Sequence, residues 1–493
     1  MSGGDKRVKR IAIFGKSHEL WPVAALIGKD LPADMGLIVV EDSDPVDPAA
    51  VTIRLDDPFL VRLGIGADEL RTVDSAVFSL GTELLDWQEQ GSRFFLTGSG
   101  NLPAIDDIAI HQIMLRAAIT YEQPDRLSYL YQPFRLPARA AEAGKFAFQS
   151  TDPRSPLSML RPIIQIDRAE YTALLKNRCG SRLAEIIEAK PKAVQTSASD
   201  GAIYRIELDN GEAIEADFYA DVSGAVGRLT GGFSGSDWNS LVESLPFDRL
   251  LSARDPEPPI KAEKHVVAQA IKGGLLITTP LRNSSIAQLL YASSHLTGEE
   301  EQKLVGREAR VALFEPGYVG EPWNGNLARM GSAASNFGPF LSADVTILHH
   351  EALVLADHLP TRANMTVEAR EYNRRHLIAA EQVRDFTLLP FALNRRDDVP
   401  WFRIQEKRMP ETLVRKIEQF RGRGRFVAYD GEIFDEPSWI DLMIGFGIVP
   451  DRIDPVTLSL DMADTARQLK NLTGAFDQAL SAIPLYADAI SSS

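Results

Sequence analysis

The chain has 493 residues, of which 44% are hydrophobic and 25% are charged, and its formal net charge is −15. This length is sufficient for a large core and indicates two or three domains. The negative charge argues against a general nucleic-acid binder, because phosphate binding needs a cationic surface. The single cysteine, Cys179, excludes an intramolecular disulfide, and no run of about 18 apolar residues could span a membrane. We therefore expect a cytoplasmic protein with neither a nucleic acid nor a membrane as partner.

The first predicted element is a buried strand over residues 11–14, followed by a turn at Gly15 and a helix from about Leu20. This order is typical of the dinucleotide-binding fingerprint G-x-G-x-x-G. The chain reads GKSHEL from Gly15 to Leu20, so one glycine of three remains. The middle glycine normally lets a pyrophosphate approach the backbone, and Ser17 places a Cβ there. Lys16 and the Ser17 hydroxyl could compensate by reaching phosphate themselves, and the start of the helix would still favour an anion.

A second buried strand is predicted from Met35 to Glu41, and it ends in an acid. Glu41 lies 26 residues after Gly15, near the spacing of a carboxylate that accepts hydrogen bonds from a ribose. The order of strand, turn, helix, strand and acid is thus intact, whereas the chemistry of the loop is changed. For this stretch alone, the sequence favours a site that does not bind a dinucleotide over one that does.

Residues 200–224 predict a further part of the same architecture. Turn signals at residues 200–201 and 210–211 indicate a small meander of strands. Residues 216–224 then read as an acid, a buried strand and a turn of small residues. Such a strand could return the chain to a central sheet, or it could be only a strand and a turn.

Residues 322–347 predict a strand at 327–330, a turn of small residues from Gly331, a loop containing Pro339 and a helix from about Ser342. The small side chains would leave room for a ligand against the backbone. The start of the helix could face an anion or the polar edge of a flavin ring. A tight strand-to-helix connection without a ligand is the alternative.

Several phrases of the sequence, in their order along the chain, are similar to those of one known family. Members of this family begin with a strand followed by GGGTAGW, and residues 15–21 keep the first glycine and the tryptophan of that phrase. Over residues 8–460 the chain resembles the flavin-dependent tryptophan halogenases, which are related to the FAD monooxygenases. The other similar phrases are residues 78–81 with Trp87, residues 165–171, residues 216–224, residues 323–336, residues 384–386 with 396–401, and residues 438–450.

The resemblance implies an α/β protein with an FAD-binding, two-dinucleotide (Rossmann-like) fold, an antiparallel sheet on the substrate side and a helical C-terminal region. We expect residues 1–345 to form the FAD-binding core, with an inserted substrate-side sheet near residues 80–200 and 240–320. We expect residues 346–493 to be mainly helical and to pack on that core. The expected dinucleotide elements of the core are residues 8–45, 200–230 and 322–345.

The resemblance also implies FAD as the cofactor and a separate reductase as the source of reduced flavin. A homodimer, or a heterodimer with an active relative, is the expected assembly. The residues expected to contact the cofactor are Gly15, Lys16, Ser17, Glu41, Gly331, Ala334, Pro339 and Ser342.

Four motifs that carry chemistry in this family are altered in this chain. The lysine of the family's FKLG phrase, which carries or positions the hypohalous species, corresponds to Ser79, whose hydroxyl cannot form a chloramine. The glutamate of the P-L-E-S phrase corresponds to Leu341, which can neither accept a proton nor stabilise a cation. Both tryptophans of G-W-x-W-x-I-P are absent from residues 274–280, and the G-E-A-T-I-P turn is replaced over residues 49–54.

We therefore predict a flavoprotein-like member of the family without halogenase activity, and we assign no catalytic residue. No histidine pair has the spacing of a zinc motif, so no metal site is predicted. Two alternatives stay open. One is an FAD-dependent monooxygenase of altered chemistry, and the other is a non-catalytic pseudoenzyme that serves as a partner subunit.

Overall fold

The chain forms two compact units. The first consists of Met1–Ala76, Ile166–Arg254 and Gln288–Arg384, and the second of Val77–Gln165, Asp255–Ala287 and Asp385–Ser493. The expected boundary near residue 345 stays a prediction. A computed structural model describes residues 6–42, 44, 47–98, 102–179, 183–224, 229, 237–256, 264–296, 303–305, 309–403 and 409–491.

The described strands are numbered in chain order. They are β1 (Arg10–Lys16), β2 (Gly36–Asp42), β3 (Ala50–Arg54), β4 (Val77–Ser79), β5 (Thr82–Leu85), β6 (Arg93–Leu96), β7 (Ala104–Ile105), β8 (Ile108–Ala109), β9 (Ile163–Asp167), β10 (Leu183–Glu188), β11 (Pro191–Thr196), β12 (Ile203–Leu208), β13 (Ala213–Ile214), β14 (Phe218–Val222), β15 (Trp238–Ser240), β16 (Arg249–Asp255), β17 (Val266–Ile271), β18 (Gly274–Pro280), β19 (Ser285–Tyr291), β20 (Arg310–Leu313), β21 (Gly317–Val319), β22 (Trp323–Asn324), β23 (Leu327–Arg329) and β24 (Ser335–Asn336).

The described α-helices follow the same order. They are α1 (Ser17–Asp30), α2 (Pro58–Leu63), α3 (Ala67–Arg71), α4 (Ile110–Thr120), α5 (Leu127–Tyr131), α6 (Leu136–Glu142), α7 (Arg168–Arg178), α8 (Ala343–Asp357), α9 (Thr366–Leu393), α10 (Pro400–Arg403), α11 (Glu411–Arg423), α12 (Glu436–Gly445), α13 (Met462–Ala482) and α14 (Tyr486–Ser491). Short 3-10 turns at Gly331–Ala333 and Phe340–Ser342 lie between β23 and α8.

The first unit is built on a six-stranded sheet with the order β10-β2-β1-β14-β23-β22. Its first five strands are parallel to their neighbours, and β22 runs antiparallel to β23. The apolar run of β1, residues 11–14, is fully buried, as is typical of a parallel strand covered on both faces. Residues 218–222 thus return the chain to the central sheet, which is one of the two alternatives given above for residues 216–224.

Two layers cover this sheet. On one face, Ala12, Phe14 and Val40 pack in a buried cluster with residues of the meander β11-β12-β13, whose antiparallel strands confirm the predicted hairpins. The helix α1 packs on β1 and β2 and also against α7 and α8. This alternation of strand and helix positions the start of α1 and the ends of β1 and β2 at one edge of the sheet.

Two details predicted for the first element are wrong. Gly15 is not a turn, because it pairs with Val222 on one side and Glu41 on the other inside the sheet. The strand continues to Lys16 and passes directly into α1, which begins at Ser17 rather than near Leu20. The helix predicted from about Ser342 begins at the next residue, Ala343.

The second unit contains the strands β6, β5, β17 and β18 as neighbours in that order. The pairs β5–β6 and β17–β18 are antiparallel, whereas β5 and β17 are parallel. An aromatic cluster of Trp87, Phe391, Trp401, Phe402 and Phe446 packs beside them, with ring centroids 4.0 to 6.5 Å apart. The indole N–H groups of Trp87 and Trp401 donate to the carbonyl oxygens of Ala268 and Ile271, each at 2.9 Å.

Helices α10 to α14 follow in the second unit, which confirms the predicted helical C-terminal region. The parallel and antiparallel sheets together with these helices confirm the predicted α/β class. Within the described ranges, no helix combines the length and the apolar character needed to cross a membrane.

Candidate functional site

The carboxylate of Glu41, expected to bind a ribose, already has three donors from the protein. The Ser17 hydroxyl and the Trp21 indole donate to Oε1, the latter at 2.9 Å, and the Lys176 ammonium donates to Oε2 at 2.9 Å. Partial burial opposes ionisation, but these three hydrogen bonds hold the pKa of Glu41 below its ordinary value. A carboxylate has about four acceptor positions, so little capacity is left for a ribose hydroxyl.

The three predicted phosphate-side residues lie together where β1 passes into α1. A Cβ on Gly15 would lie 2.3 Å from the carbonyl oxygen of Val222, so close packing of β1 on β14 alone requires glycine there. Lys16 precedes the helix as its N-cap residue and makes no side-chain capping bond. Ser17 would have to release Glu41 before its hydroxyl could reach a phosphate.

The Gly331 turn, Gly331–Ala333, presents two backbone N–H groups that already have carboxylate partners. The Gly331 N–H donates to Oε2 of Glu351 at 2.6 Å, and the Ser332 N–H donates to Oε2 of Glu19 at 3.2 Å. Gly331 has a φ of +55°, and a Cβ there would lie 2.9 Å from the Glu19 carboxylate. Glycine is therefore required both by the backbone angle and by the carboxylate beside it.

Glu19 stands in the first turn of α1, and 12% of its side chain is exposed. Burial raises the pKa of this carboxyl from 4.5 to about 7, although the Ser332 hydrogen bonds act in the opposite direction. His18 Nε2 lies 3.8 Å from Glu19 Oε1, and burial lowers the pKa of His18 well below its usual range. No local pattern of residues could indicate this contact, because Glu19 and Ser332 are 313 residues apart.

The remaining predicted residues lie in or near the loop before α8. Ala334 is fully buried, and its carbonyl oxygen accepts from the Val319 N–H. Pro339 precedes the 3-10 turn Phe340–Ser342, in which Leu341 and Ser342 have left-handed φ values of +52° and +60°. A non-glycine residue in this region costs about 1–2 kcal/mol, so the loop keeps a strained shape at the position matched to the family's glutamate.

Ser79, matched to the family's lysine, is buried in the second unit. Its hydroxyl accepts from the Gln165 amide at 2.6 Å and donates to the Gly81 carbonyl at 3.4 Å. Ser79 also lines a cavity of about 220 Å³, with Arg93, Lys145, Lys264, His265 and Tyr486 among the other lining residues. Glu142 is the acidic residue of the lining, so cationic side chains outnumber acidic ones there, and Phe95, Phe146 and Tyr486 make the cavity partly aromatic.

His265, which lines this cavity, pairs with a buried carboxylate that was not predicted from the sequence. Glu83 is 2% exposed, and its Oε2 lies 3.1 Å from Nε2 of His265, while the Arg93 guanidinium donates to Oε1. Although burial opposes it, hydrogen bonds from His265 and Arg93 lower the pKa of Glu83. A carboxylate on one ring nitrogen orients an imidazole and leaves the other nitrogen for proton transfer. Because the pair joins residues 182 positions apart, no short motif could have indicated it.

The positions matched to the family's two lost tryptophans are buried and apolar. Leu275 and Ile277 of β18 are 0% and 3% exposed, so smaller hydrophobic side chains occupy these positions. Among the described residues, no group of three or more histidine, cysteine or acidic side chains is arranged to hold a metal ion.

The parallel sheet brings Lys16 and Glu41 to the ends of the neighbouring strands β1 and β2, and Gly331 follows β23, which is separated from β1 by β14. Open α/β sheets bind their ligands at such strand ends. The fold of the chain is shared with solved flavin-dependent halogenases. The flavin-dependent halogenase BrvH from Brevundimonas sp. BAL3 has a TM-score of 0.88 and 26% identity, over 99% of each chain. The tryptophan 6-halogenase SttH from Streptomyces toxytricini has the same fold, with a TM-score of 0.85 and 18% identity over 99% of this chain and 100% of its own.

The sequence comparisons agree. The tryptophan 6-halogenase ThaL from Streptomyces albogriseolus is 21% identical over 494 residues, which cover 90% of this chain and 91% of the relative. The sequence model of the family described as tryptophan halogenase matches residues 10–462. The chain therefore belongs to the tryptophan halogenase family, and the resemblance stated above is confirmed.

Membership of this family implies FAD as the cofactor, as expected. The fold provides the sheet edge and the start of α1 for a dinucleotide, but the hydrogen-bonding groups there are in use. Glu41 has three protein donors, and the N–H groups of Gly331 and Ser332 are held by Glu351 and Glu19. With these side chains in place, a dinucleotide could not use the Gly331 and Ser332 N–H groups, so these donors fit the cofactor only after a carboxylate moves.

Proposed function

We propose that this chain is a flavin-binding member of the tryptophan halogenase family that does not halogenate tryptophan. The observation that carries the proposal is that a buried, hydrogen-bonded serine, Ser79, stands where the family has its lysine. The matched family residue is a lysine, whereas the Ser79 hydroxyl is buried and held by Gln165 and Gly81. It has no amine to carry or orient a hypohalous species. Leu341 supports the proposal, because an aliphatic side chain replaces the matched carboxylate.

The flavin would be supplied in reduced form by a separate reductase, as flavin-dependent halogenases use it. We further propose that the chain acts as a homodimer or pairs with an active relative. Size-exclusion chromatography with light scattering measures the mass of the assembly and so tests for the homodimer. A mass equal to one chain would contradict it.

The activity assay supplies tryptophan, chloride or bromide, oxygen and enzymatically reduced FAD, and follows product by mass spectrometry. A tryptophan 6-halogenase serves as the positive control. We expect no halogenated tryptophan from the wild-type chain. Halogenated product above the level without protein would overturn the proposal. The double variant Ser79→Lys, Leu341→Glu tests whether these two positions alone account for the loss.

A flavin monooxygenase of altered chemistry is the second candidate, and the His265–Glu83 pair favours it. His265 lines the cavity beside Ser79, and its Nδ1 makes no hydrogen bond within the described part of the chain. It is therefore available to accept or donate a proton. Lys264 and Lys145 would favour an anionic aromatic substrate there. Indole-3-acetate with reduced FAD and molecular oxygen is a suitable probe. A product that has gained one oxygen atom from O2, with the other atom reduced to water by the flavin, would support this candidate if it is lost in His265→Asn.

A further inference from the structure

The Glu19 carboxylate accepts a hydrogen bond from the Ser332 N–H, a donor that lies beside the start of α1. The Ser332 N–H, which donates to the Glu19 carboxylate, lies in the Gly331 turn after β23, and Glu19 itself lies in the first turn of α1. The start of such a helix, next to a turn of small residues, is where dinucleotide-binding folds accept the pyrophosphate of their cofactor. In this chain an internal carboxylate supplies the negative charge at that point.

The two carboxylates that hold the turn differ in how easily they could move. Glu351 is fully buried, and its Oε1 lies 2.9 Å from Nδ1 of the buried His376, so it is part of the packed interior. The Glu19 side chain is partly exposed, and the hydrogen bonds it accepts in the described part of the chain come from Ser332, whose backbone N–H lies 3.2 Å from Oε2. Glu19 is therefore the carboxylate that a ligand could displace.

Polar atoms beside Glu19 are without partners. Nδ1 of His18 and Nε of Arg168 are both buried and have no hydrogen bond within the part of the chain that the structure describes. Arg168 interacts electrostatically with Glu19, and it and Lys16 would attract an anion that entered in place of the carboxylate. Buried polar atoms of this kind usually have a partner, so their presence points to a ligand.

We propose that Glu19 determines cofactor acceptance: its carboxylate occupies the Ser332 N–H and the negative position at the start of α1, and a flavin dinucleotide binds only when that carboxylate is displaced. The inference rests on the proposed function, because it takes a flavin to be the ligand of this site. Gly331 fits the inference, since a side chain there would collide with Glu19 in its present position. In the family phrase GGGTAGW the residue matched to Glu19 is alanine, which has no carboxylate to accept a hydrogen bond from the turn.

The test is a titration of oxidised FAD, followed by flavin fluorescence, into the wild-type chain and Glu19→Ala at about pH 8, where most Glu19 is ionised. We expect Glu19→Ala to lower the dissociation constant about ten-fold or more, because a charged hydrogen bond no longer competes. Glu19→Gln keeps the shape of the side chain without its charge, and its dissociation constant for FAD should lie between those of the wild type and Glu19→Ala. Glu212→Ala, at an exposed turn of the meander, is the matched control and should leave binding unchanged.

Equal, measurable dissociation constants for the wild type and Glu19→Ala would overturn the inference alone, whereas an absence of binding by both proteins would overturn both the inference and the proposed flavin binding. Circular dichroism checks that each variant is folded. If Glu19→Ala does not fold, the comparison of dissociation constants is made between the wild type and Glu19→Gln. Halogenated tryptophan in the activity assay would overturn the proposed function but would not change this comparison of affinities. The two failures are therefore distinguishable.

Discussion

The aromatic cluster of the second unit and the Gly331 turn of the first unit both match phrases of the halogenase family, but their polar groups have different kinds of partner. In the cluster, Trp87 and Trp401 pack against each other and donate to backbone carbonyls. In the Gly331 turn, the carboxylates of Glu351 and Glu19 accept from the backbone N–H groups.

The difference has a physical reason. A buried indole removes a large apolar area from water and needs one acceptor at a fixed place, so few substitutions are tolerated. A turn that binds a ligand needs only that its donors be satisfied, and a side chain of the protein can do this as well as a cofactor. Positions that bind ligands can therefore change while the fold is preserved.

The largest expected effect is on the aromatic cluster. Trp401→Ala should lower the free energy of unfolding by about 3–5 kcal/mol, because it opens a cavity and leaves the Ile271 carbonyl without its donor. Trp401→Phe retains most of the packing and should cost less. Chemical denaturation measures both, and equal losses for the two variants would show that packing is not what matters at this position.

The pH dependence of stability tests the Gly331 turn. The folded pKa of Glu19 is raised to about 7, so the folded chain binds more protons than the unfolded one between about pH 4.5 and 7. Its contribution to stability is therefore present at low pH and is lost as the pH rises through that range. The groups that face Glu19 are Lys16 and His18 on its own segment, Arg168 at the start of α7 and Asp344 in α8.

Glu19→Gln isolates this contribution from that of all other groups. The variant should become more stable relative to the wild type as the pH rises from about 5 to 8, by up to about 3 kcal/mol. Denaturation of both proteins at several pH values gives the difference. A difference that does not vary with pH would show that Glu19 titrates normally and is not held in a desolvated position.

A substitution at Gly15, where β1 packs closely on β14, should have a smaller effect on stability. Gly15→Ala should destabilise the chain by about 1–3 kcal/mol, because the added Cβ meets the Val222 backbone at 2.3 Å. Gly474→Ala is the matched control: it lies in α13 with open space around it, and should stabilise the chain by about 0.5–1 kcal/mol. A neutral Gly15→Ala would contradict the packing reason for keeping this glycine.

The smallest expected effect concerns the strained loop before α8. Leu341 has a φ of +52°, so Leu341→Gly should be more stable than Leu341→Ala by about 1 kcal/mol. In ordinary backbone the order is reversed, since glycine has the larger entropy in the unfolded chain. Thermal denaturation of the two variants compares them directly, and a more stable Leu341→Ala would argue against strain at this position.

The apolar runs and turn signals predicted much of the first unit. β1, β2, the meander and β14 form as expected, because each depends on a short segment with its own hydrophobic period. The beginning of α1 was placed too late, because Gly15 reads as a turn in isolation. Only pairing with Val222 and Glu41 keeps it in the strand.

The sequence by itself therefore determined the α/β class, the order of the elements and membership of the family, since these follow from local patterns repeated along the chain. The tertiary structure decided which polar groups meet. Glu19 with Ser332, Lys176 with Glu41, and His265 with Glu83 are each far apart in sequence. Such pairs form because desolvated charges and donors must find partners wherever the fold brings them together, and no local pattern specifies where that will be.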